Sequence, residues 1–193
     1  MAQLPLRILG VDPATTKSGW CILEVTSLHP LEIQIKAHGQ VDGQKLLRTR
    51  KEMASLFRPQ FCVLDALEEF YTQLVVEHKP DIIVSEGAFG GSHMSAFLAL
   101  SLAINTLRRV SRATLNKDIV EIPPTVSKLS LTGKGNADKD LMRKAYWIVP
   151  FLFGRKSDEE ISEHEIDSIS HGSAYVRSHI LDDIVIQPKK KKR

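Results

Sequence analysis

The order of the apolar runs constrains this chain more than any single motif does. Residues 7–11 (RILGV) form a continuous apolar run, residues 19–25 (GWCILEV) follow across a turn of small residues, and residues 31–41 alternate apolar with polar through Ile33, Ile35 and Ala37. Three strand-like runs in succession predict an antiparallel meander with the first strand central and the third half exposed. The period then changes. Residues 61–78 place Leu64, Leu67, Phe70, Tyr71, Leu74 and Val75 at helical spacing, and Pro80 stops them. Residues 81–85 (DIIVS) read as a short buried strand ending at Glu86, followed by a glycine-rich loop and a long helix over 94–112. A fifth strand over 119–122, broken by Pro123 and Pro124, precedes helices over 125–131, 138–148 and 163–178. The predicted fold class is α/β, a mixed five-stranded sheet in which an antiparallel meander is followed by parallel strands, with helices on both faces.

Composition sets the outer bounds. The 193 residues, 42% hydrophobic and 25% charged, suit one ordinary domain, which we place at 1–180 with a basic tail at 181–193. The net charge of +3 is mild but uneven: Lys189, Lys190, Lys191, Lys192 and Arg193 form one cationic run, and Arg48, Arg50, Lys51 and Arg58 crowd another segment. Such runs solvate a surface as readily as they meet nucleic acid. The two cysteines, Cys21 and Cys62, have neither zinc spacing nor a disulfide framework. With no signal-like N-terminus and no apolar stretch of the roughly 20 residues that crosses a bilayer, the expectation is a reducing, cytoplasmic compartment and no membrane partner.

The chemistry concentrates at strand ends. Asp12 closes the first apolar run in ILGVDPATTKSGW, and Glu86 closes the fourth. A carboxylate at the mouth of a buried strand is costly unless a cation meets it. The two meet only if strands one and four are neighbours. In the last helix, His164 and Asp167 stand three apart and share a face, with His171 one turn further on and Ile166, Ile169, Val176 and Ile180 as the core stripe.

Four segments, ILGVDPATTKSGW, DIIVSEGAFGG, PPTVSKLSLTGKGNADKDLMRKA and EHEIDSISHGSAYV, occur in the order and at roughly the spacing of the RuvC-type Holliday junction resolvases, a branch of the ribonuclease H-like nucleases. The chain resembles that family from about residue 7 to residue 178. The resemblance implies a ribonuclease H-like sheet and a metal-dependent endodeoxyribonuclease, a homodimer making paired symmetric nicks in four-way DNA junctions in recombination and repair. It matches Asp12, Glu86 and Asp167 to the family's metal-binding acids and His164 to the remaining ligand position. Lys128 and Lys139 match basic residues facing the DNA backbone near the scissile phosphate, with Lys134 on the loop between them as a further DNA contact. Phe89 matches an aromatic beside the junction centre, where stacking on an unpaired base is worth roughly 1–3 kcal/mol.

Hydrolysis of a phosphodiester needs an activated water, neutralised phosphate charge and a stabilised leaving oxygen, and two divalent ions about 3.5–4 Å apart supply all three. The expected cofactor is Mg2+, two ions per site, with Mn2+ able to substitute because an imidazole ligand suits it better. His164 remains open between ligand and acid or base. Glu163 or Glu165 is a candidate auxiliary ligand, and Asn136 or Asp138 a candidate helix cap. Ala14 stands where the resembled family usually has glycine, which requires a turn after Asp12 free of the backbone shape that only glycine tolerates easily. Residues 133–136 (GKGN) lack the spacing of a phosphate-binding P-loop.

Other readings stay in view. A nuclease of the same superfamily acting on flaps, branched DNA or RNA–DNA hybrids would carry the same acids. A non-catalytic junction-binding protein would have less reason to keep them. A two-domain phosphotransferase would need more chain than 193 residues supply. Neither a preferred cutting sequence nor a branch-migration helicase partner can be read from the residues.

Overall fold

The meander forms as the patterning predicts, with longer second and third strands. The computed structural model describes residues 3–88, 94–155 and 160–183. Strands β1 (Leu6–Asp12), β2 (Lys17–Leu28) and β3 (Leu31–Asp42) pair antiparallel in sequence order. Two short helices, α1 (Gly43–Arg48) and α2 (Lys51–Leu56), carry the basic segment, and α3 (Pro59–His78) follows. α3 ends two residues before Pro80, with Lys79 between them in the left-handed region at φ 48°. β4 (Ile82–Glu86) then inserts parallel to β1, and β5 (Val120–Ile122) parallel to β4, with α4 (Met94–Leu115) between them.

Helix α5 (Pro124–Thr132) starts on Pro124, whose missing N–H costs nothing at a first helical position. Asp138 caps α6 (Lys139–Ile148) by accepting from the Leu141 N–H at 2.8 Å. β6 (Leu152–Phe153) follows, then α7 (Glu163–Tyr175) and a π-helical turn, Val176–Ile180. The sheet order is β5-β4-β1-β2-β3-β6, six strands rather than the five expected. The sixth was invisible in the sequence because two residues carry no period. No helix among the described residues is long and apolar enough to cross a membrane.

Strand alternation divides the core into two layers. Ile8, Cys21, Leu23, Val84 and Ile122 face α5, α6 and α7, whereas Leu9, Val11, Ile22 and Ile83 face α3 and α4. The α4 residues Ile104 and Leu107 are consumed by the second layer. Met94 and Leu98, near the start of α4, stay exposed.

Helix α7 sits unusually low on β1 and β2. A Cβ placed on Gly19 would lie 2.0 Å from the His164 carbonyl oxygen, and one on Gly10 2.4 Å from that of Ser168. Helix backbone meets strand backbone there, so only glycine fits. Gly19→Ala should therefore push α7 off the sheet and cost about 1–3 kcal/mol, an overpacking penalty equal to a fall of several degrees in Tm. A thermal melt checks it, and a Tm within about 1 °C of wild type would mean that α7 has room to rise.

Candidate active site

β1 and β4 run parallel with Val11 opposite Ser85, so Asp12 and Glu86, which end them, come side by side. Alternation from Ile8 and Val84 turns both toward α7. The carbonyl of Asp12 accepts a 2.7 Å hydrogen bond from the Ser18 hydroxyl, which lies 2.6 Å from the buried Tyr71 hydroxyl on α3. With the Ser18 proton committed to Asp12, Tyr71 donates to Ser18. The end of β1 is thus tied across the sheet to the opposite layer.

From above, α7 lowers a stripe of side chains onto these acids. The ligand atoms of Asp12, Glu86 and His171 all lie within 4.8 Å of one another. Asp167 lines the same cavity of about 180 Å3, with Ser127 and Lys128 of α5 on its wall. His164 has 38% of its side chain exposed and sets its Nδ1 2.7 Å from Asp12 Oδ2. The start of α7 is fixed by a capping box: Glu165 N–H donates to Ser162 Oγ at 3.3 Å, and Glu165 Oε2 accepts from Ser162 N–H at 2.9 Å. The other Glu165 oxygen, Oε1, lies 2.8 Å from His38 Nδ1 on β3.

Electrostatics mark the cavity as a place that wants positive charge. Burial pushes Glu86 up to about 7, reinforced by the neighbouring charges of Asp12 and Asp167, with Lys128 pulling the other way. Burial likewise lifts Asp167 to about 6, with Asp12 adding to the rise and His164 and Lys128 opposing it. The hydrogen bond to Asp12 raises His164 above its ordinary value. Burial drives His171 down to about 4 and keeps its ring neutral. Carboxylates held together at this cost, beside a neutral imidazole, make a donor set that fits a divalent cation.

The sequence-predicted residues fall into three groups. Asp12, Glu86, Asp167 and Lys128 line one cavity. Lys139 opens the adjoining cleft with Glu163, to which it is ion-paired at 2.5 Å, and Lys134 is exposed on the loop before α6. Phe89 lies outside the described residues, as does the basic run Lys189–Arg193. The two candidate auxiliary ligands are engaged elsewhere. Glu163 is engaged by Lys139, and Glu165 is spent on the helix cap and His38, where those hydrogen bonds outweigh burial and hold it below its usual range. Neither is an auxiliary ligand in this arrangement. The segment around 48–58 is a pair of short helices, with Arg50 ion-paired to Glu69 of α3. His171 and Ser127 escaped the sequence reading as site residues, although His164, Asp167 and His171 at i, i+3 and i+7 form one helical stripe. Ala14 is not among the residues with positive φ, so the turn after Asp12 needs no glycine.

No family model matches the chain. Curated relatives named crossover junction endodeoxyribonuclease RuvC do: that of Parvibaculum lavamentivorans is 27% identical over 173 residues, covering 90% of this chain and 87% of the relative, and that of Hydrogenovibrio crunogenus is 28% identical over 140 residues, 72% of each. The chain is thus similar to the RuvC endonucleases over most of its length. Its fold agrees: the Thermus thermophilus RuvC structure superposes with a TM-score of 0.71 at 13% identity, covering 92% of this chain and 97% of that one. A second structure, T. thermophilus RuvC in complex with Holliday junction substrate, gives 0.65 at 12% identity over 90% and 97%. The overall fold is therefore that of the RuvC structures.

The raised carboxylates predict how the metal-free protein responds to pH. Glu86 and Asp167 hold protons more tightly when folded, about 7 and about 6, than their ordinary 4.5 and 3.8. Their stabilising contribution is present below the ordinary values and lost as pH rises through the folded ones. In chelator at pH 8, Glu86→Gln and Asp167→Asn should each be more stable than wild type by about 1–2 kcal/mol, less than the full shifts carry because water screens the partly open cavity. The gain should disappear at pH 4. Paired thermal melts check this, and variants no more stable than wild type at pH 8 would mean that neither burial nor repulsion penalises the charged acids.

Proposed function

We propose that the chain is a metal-dependent endodeoxyribonuclease that resolves four-way DNA junctions. The observation that carries this reading is the convergence of Asp12, Glu86 and Asp167 at the open ends of β1 and β4, in a chain whose relatives are named crossover junction endodeoxyribonucleases. A non-catalytic binder would gain nothing from holding repelling acids together.

In this reading Asp12, Glu86, Asp167 and His164 hold Mg2+, two ions per site, with Mn2+ able to replace it. A divalent ion so held supplies an activated water and neutralises phosphate charge. The remaining work falls to the chain. Ser18 and Tyr71 keep the end of β1 fixed, so Asp12 presents its carboxylate in one orientation. Lys128, on the cavity wall, meets the charge of the incoming phosphate, and Lys139 with Lys134 extends that positive edge along the DNA backbone. His164, with Nδ1 toward Asp12, leaves its other ring nitrogen to ligate or to move a proton. Phe89 is assigned to the junction centre. A homodimer would place two such sites on symmetry-related strands, and the exposed Met94 and Leu98 at the start of α4 are the proposed contact.

Asp12→Asn, Glu86→Gln and Asp167→Asn should each lower junction cleavage in Mg2+ by at least about 10³-fold, the scale of losing a charge-stabilising group, while gel-shift affinity for the junction stays within a few fold. Near-full activity in any one removes that residue from the site. The substrate class is decided by side-by-side cleavage of a mobile four-way junction, a flap and an RNA–DNA hybrid. Preferential cutting of the flap or hybrid would move the chain to another branch of the ribonuclease H-like nucleases.

For His164, a ligand role predicts that His164→Asp keeps substantial Mg2+-dependent activity and that His164→Ala loses most of it, recovering in part at high Mn2+. An acid or base role predicts that His164→Asp is nearly inactive in both metals. Cleavage rates of the two variants in each metal separate the roles.

A further inference from the structure

We infer that His171 is a metal ligand of this site through Nε2, an inner contact additional to those assigned above. The inference rests on the reading of the acidic cavity as a metal site. His171 is 3% exposed, yet its ring reaches the cavity, where it shares the 4.8 Å cluster with Asp12 and Glu86. Its two nitrogens are in opposite circumstances. Nδ1 lies 2.7 Å from Ser127 Oγ, whereas Nε2 is buried with no hydrogen-bond partner.

An imidazole nitrogen buried without a partner costs about 1–3 kcal/mol, and the acids beside it do not relieve that cost because none forms a hydrogen bond with Nε2. The hydroxyl of Ser127 also has the Pro123 carbonyl within 3.5 Å, at the long end of hydrogen bonding, on the first turn of α5. If its proton goes to that carbonyl, the Ser127 oxygen accepts from Nδ1–H. In that arrangement of donors Nε2 carries a lone pair. A neutral ring oriented from behind by a hydroxyl, with its free lone pair beside two carboxylates, has the arrangement of a metal-ligating histidine with its outer support. A cation in the cavity satisfies Nε2 and the repelling acids together. Because imidazole favours Mn2+ over Mg2+ more than a carboxylate does, His171 also tilts the ion preference toward Mn2+.

The test is Mn2+ binding by the metal-free full chain, followed by electron paramagnetic resonance, with pulsed measurements reading imidazole nitrogen coupled to the bound ion. In wild type and in His164→Ala the nitrogen coupling should be present. In His164→Ala/His171→Asn it should vanish. His171→Asn, whose amide can still reach toward Ser127, should weaken Mn2+ binding roughly tenfold or more, and Ser127→Ala by roughly tenfold, the usual effect of losing an outer support. Loss of the coupling in His164→Ala alone overturns the inference, as does a folded His171→Asn that binds Mn2+ within twofold of wild type. If His171→Asn fails to fold, the His164→Ala measurement still decides, since it leaves residue 171 untouched. No saturable Mn2+ binding by wild type would instead overturn the metal reading as a whole, a result distinguishable because it needs no variant.

Discussion

Everything at this site depends on backbone lying against backbone. Helix α7 rests its His164 and Ser168 carbonyls over Gly19 of β2 and Gly10 of β1, closer than any side chain would allow. A third close contact, Gly172 over the Leu23 side chain, continues the same low seating. The buried face of α7 is correspondingly small and polar, with Ser168, Ser170 and Ser173 among its isoleucines. An ordinary helix-on-sheet spacing set by leucines would lift His164, Asp167 and His171 away from the strand ends. The low seating lets residues on a helix share a cavity of about 180 Å3 with residues on two strands.

That closeness carries an electrostatic cost, and the surrounding structure is arranged to hold it. Tyr71 and Ser18 fix the end of β1 from the opposite layer, and the Ser162–Glu165 box, braced by His38, fixes the start of α7. Between these two anchors the acids cannot separate to relieve their repulsion. Glu86 and Asp167, desolvated by burial first and repelled by their neighbours second, hold their protons more tightly. The fold therefore has two ways to neutralise the cavity: protons at low pH and a cation at neutral pH. His164 beside Asp12 is a partial third, since its raised affinity for a proton offsets one carboxylate.

Much of this was legible in the sequence where one residue type does one job. The meander showed through its runs, and Asp12 and Glu86 stood out because acids rarely close apolar strands. Their adjacency was not legible, because it depends on β4 inserting beside β1, which no local pattern encodes. β6 was lost to its length. Gly10 and Gly19 were read as parts of strands, since the helix that requires them lies about 145 residues away in the chain. His171 was seen on the right face, but burial and the Ser127 contact give it meaning, and neither has a sequence signature. Glu163 and Glu165 failed in the opposite sense: beside the His164 and Asp167 stripe they looked like spare ligands, yet the capping box that claims Glu165 is written in the sequence as Ser162 followed three residues later by glutamate.

The acidic run at the start of α7 bears on how DNA would approach. Glu163 holds Lys139 in an exposed ion pair, and each partner is shifted by the other, the lysine upward and the glutamate downward. Exposed pairs of this kind are weak and screened by salt. A phosphate, carrying a full charge and several acceptor oxygens, can take the lysine from the carboxylate at little cost. The pair thus keeps Lys139 at the mouth of the cleft beside Lys128 and Asp167, where the proposed backbone contact would need it, instead of extended into solvent. An acid close to a DNA-facing helix is then compatible with binding, provided that the acid is matched to a lysine and is not left facing the phosphates alone. Glu163 meets that condition, and Glu165 meets it differently, by turning inward to the helix cap and His38.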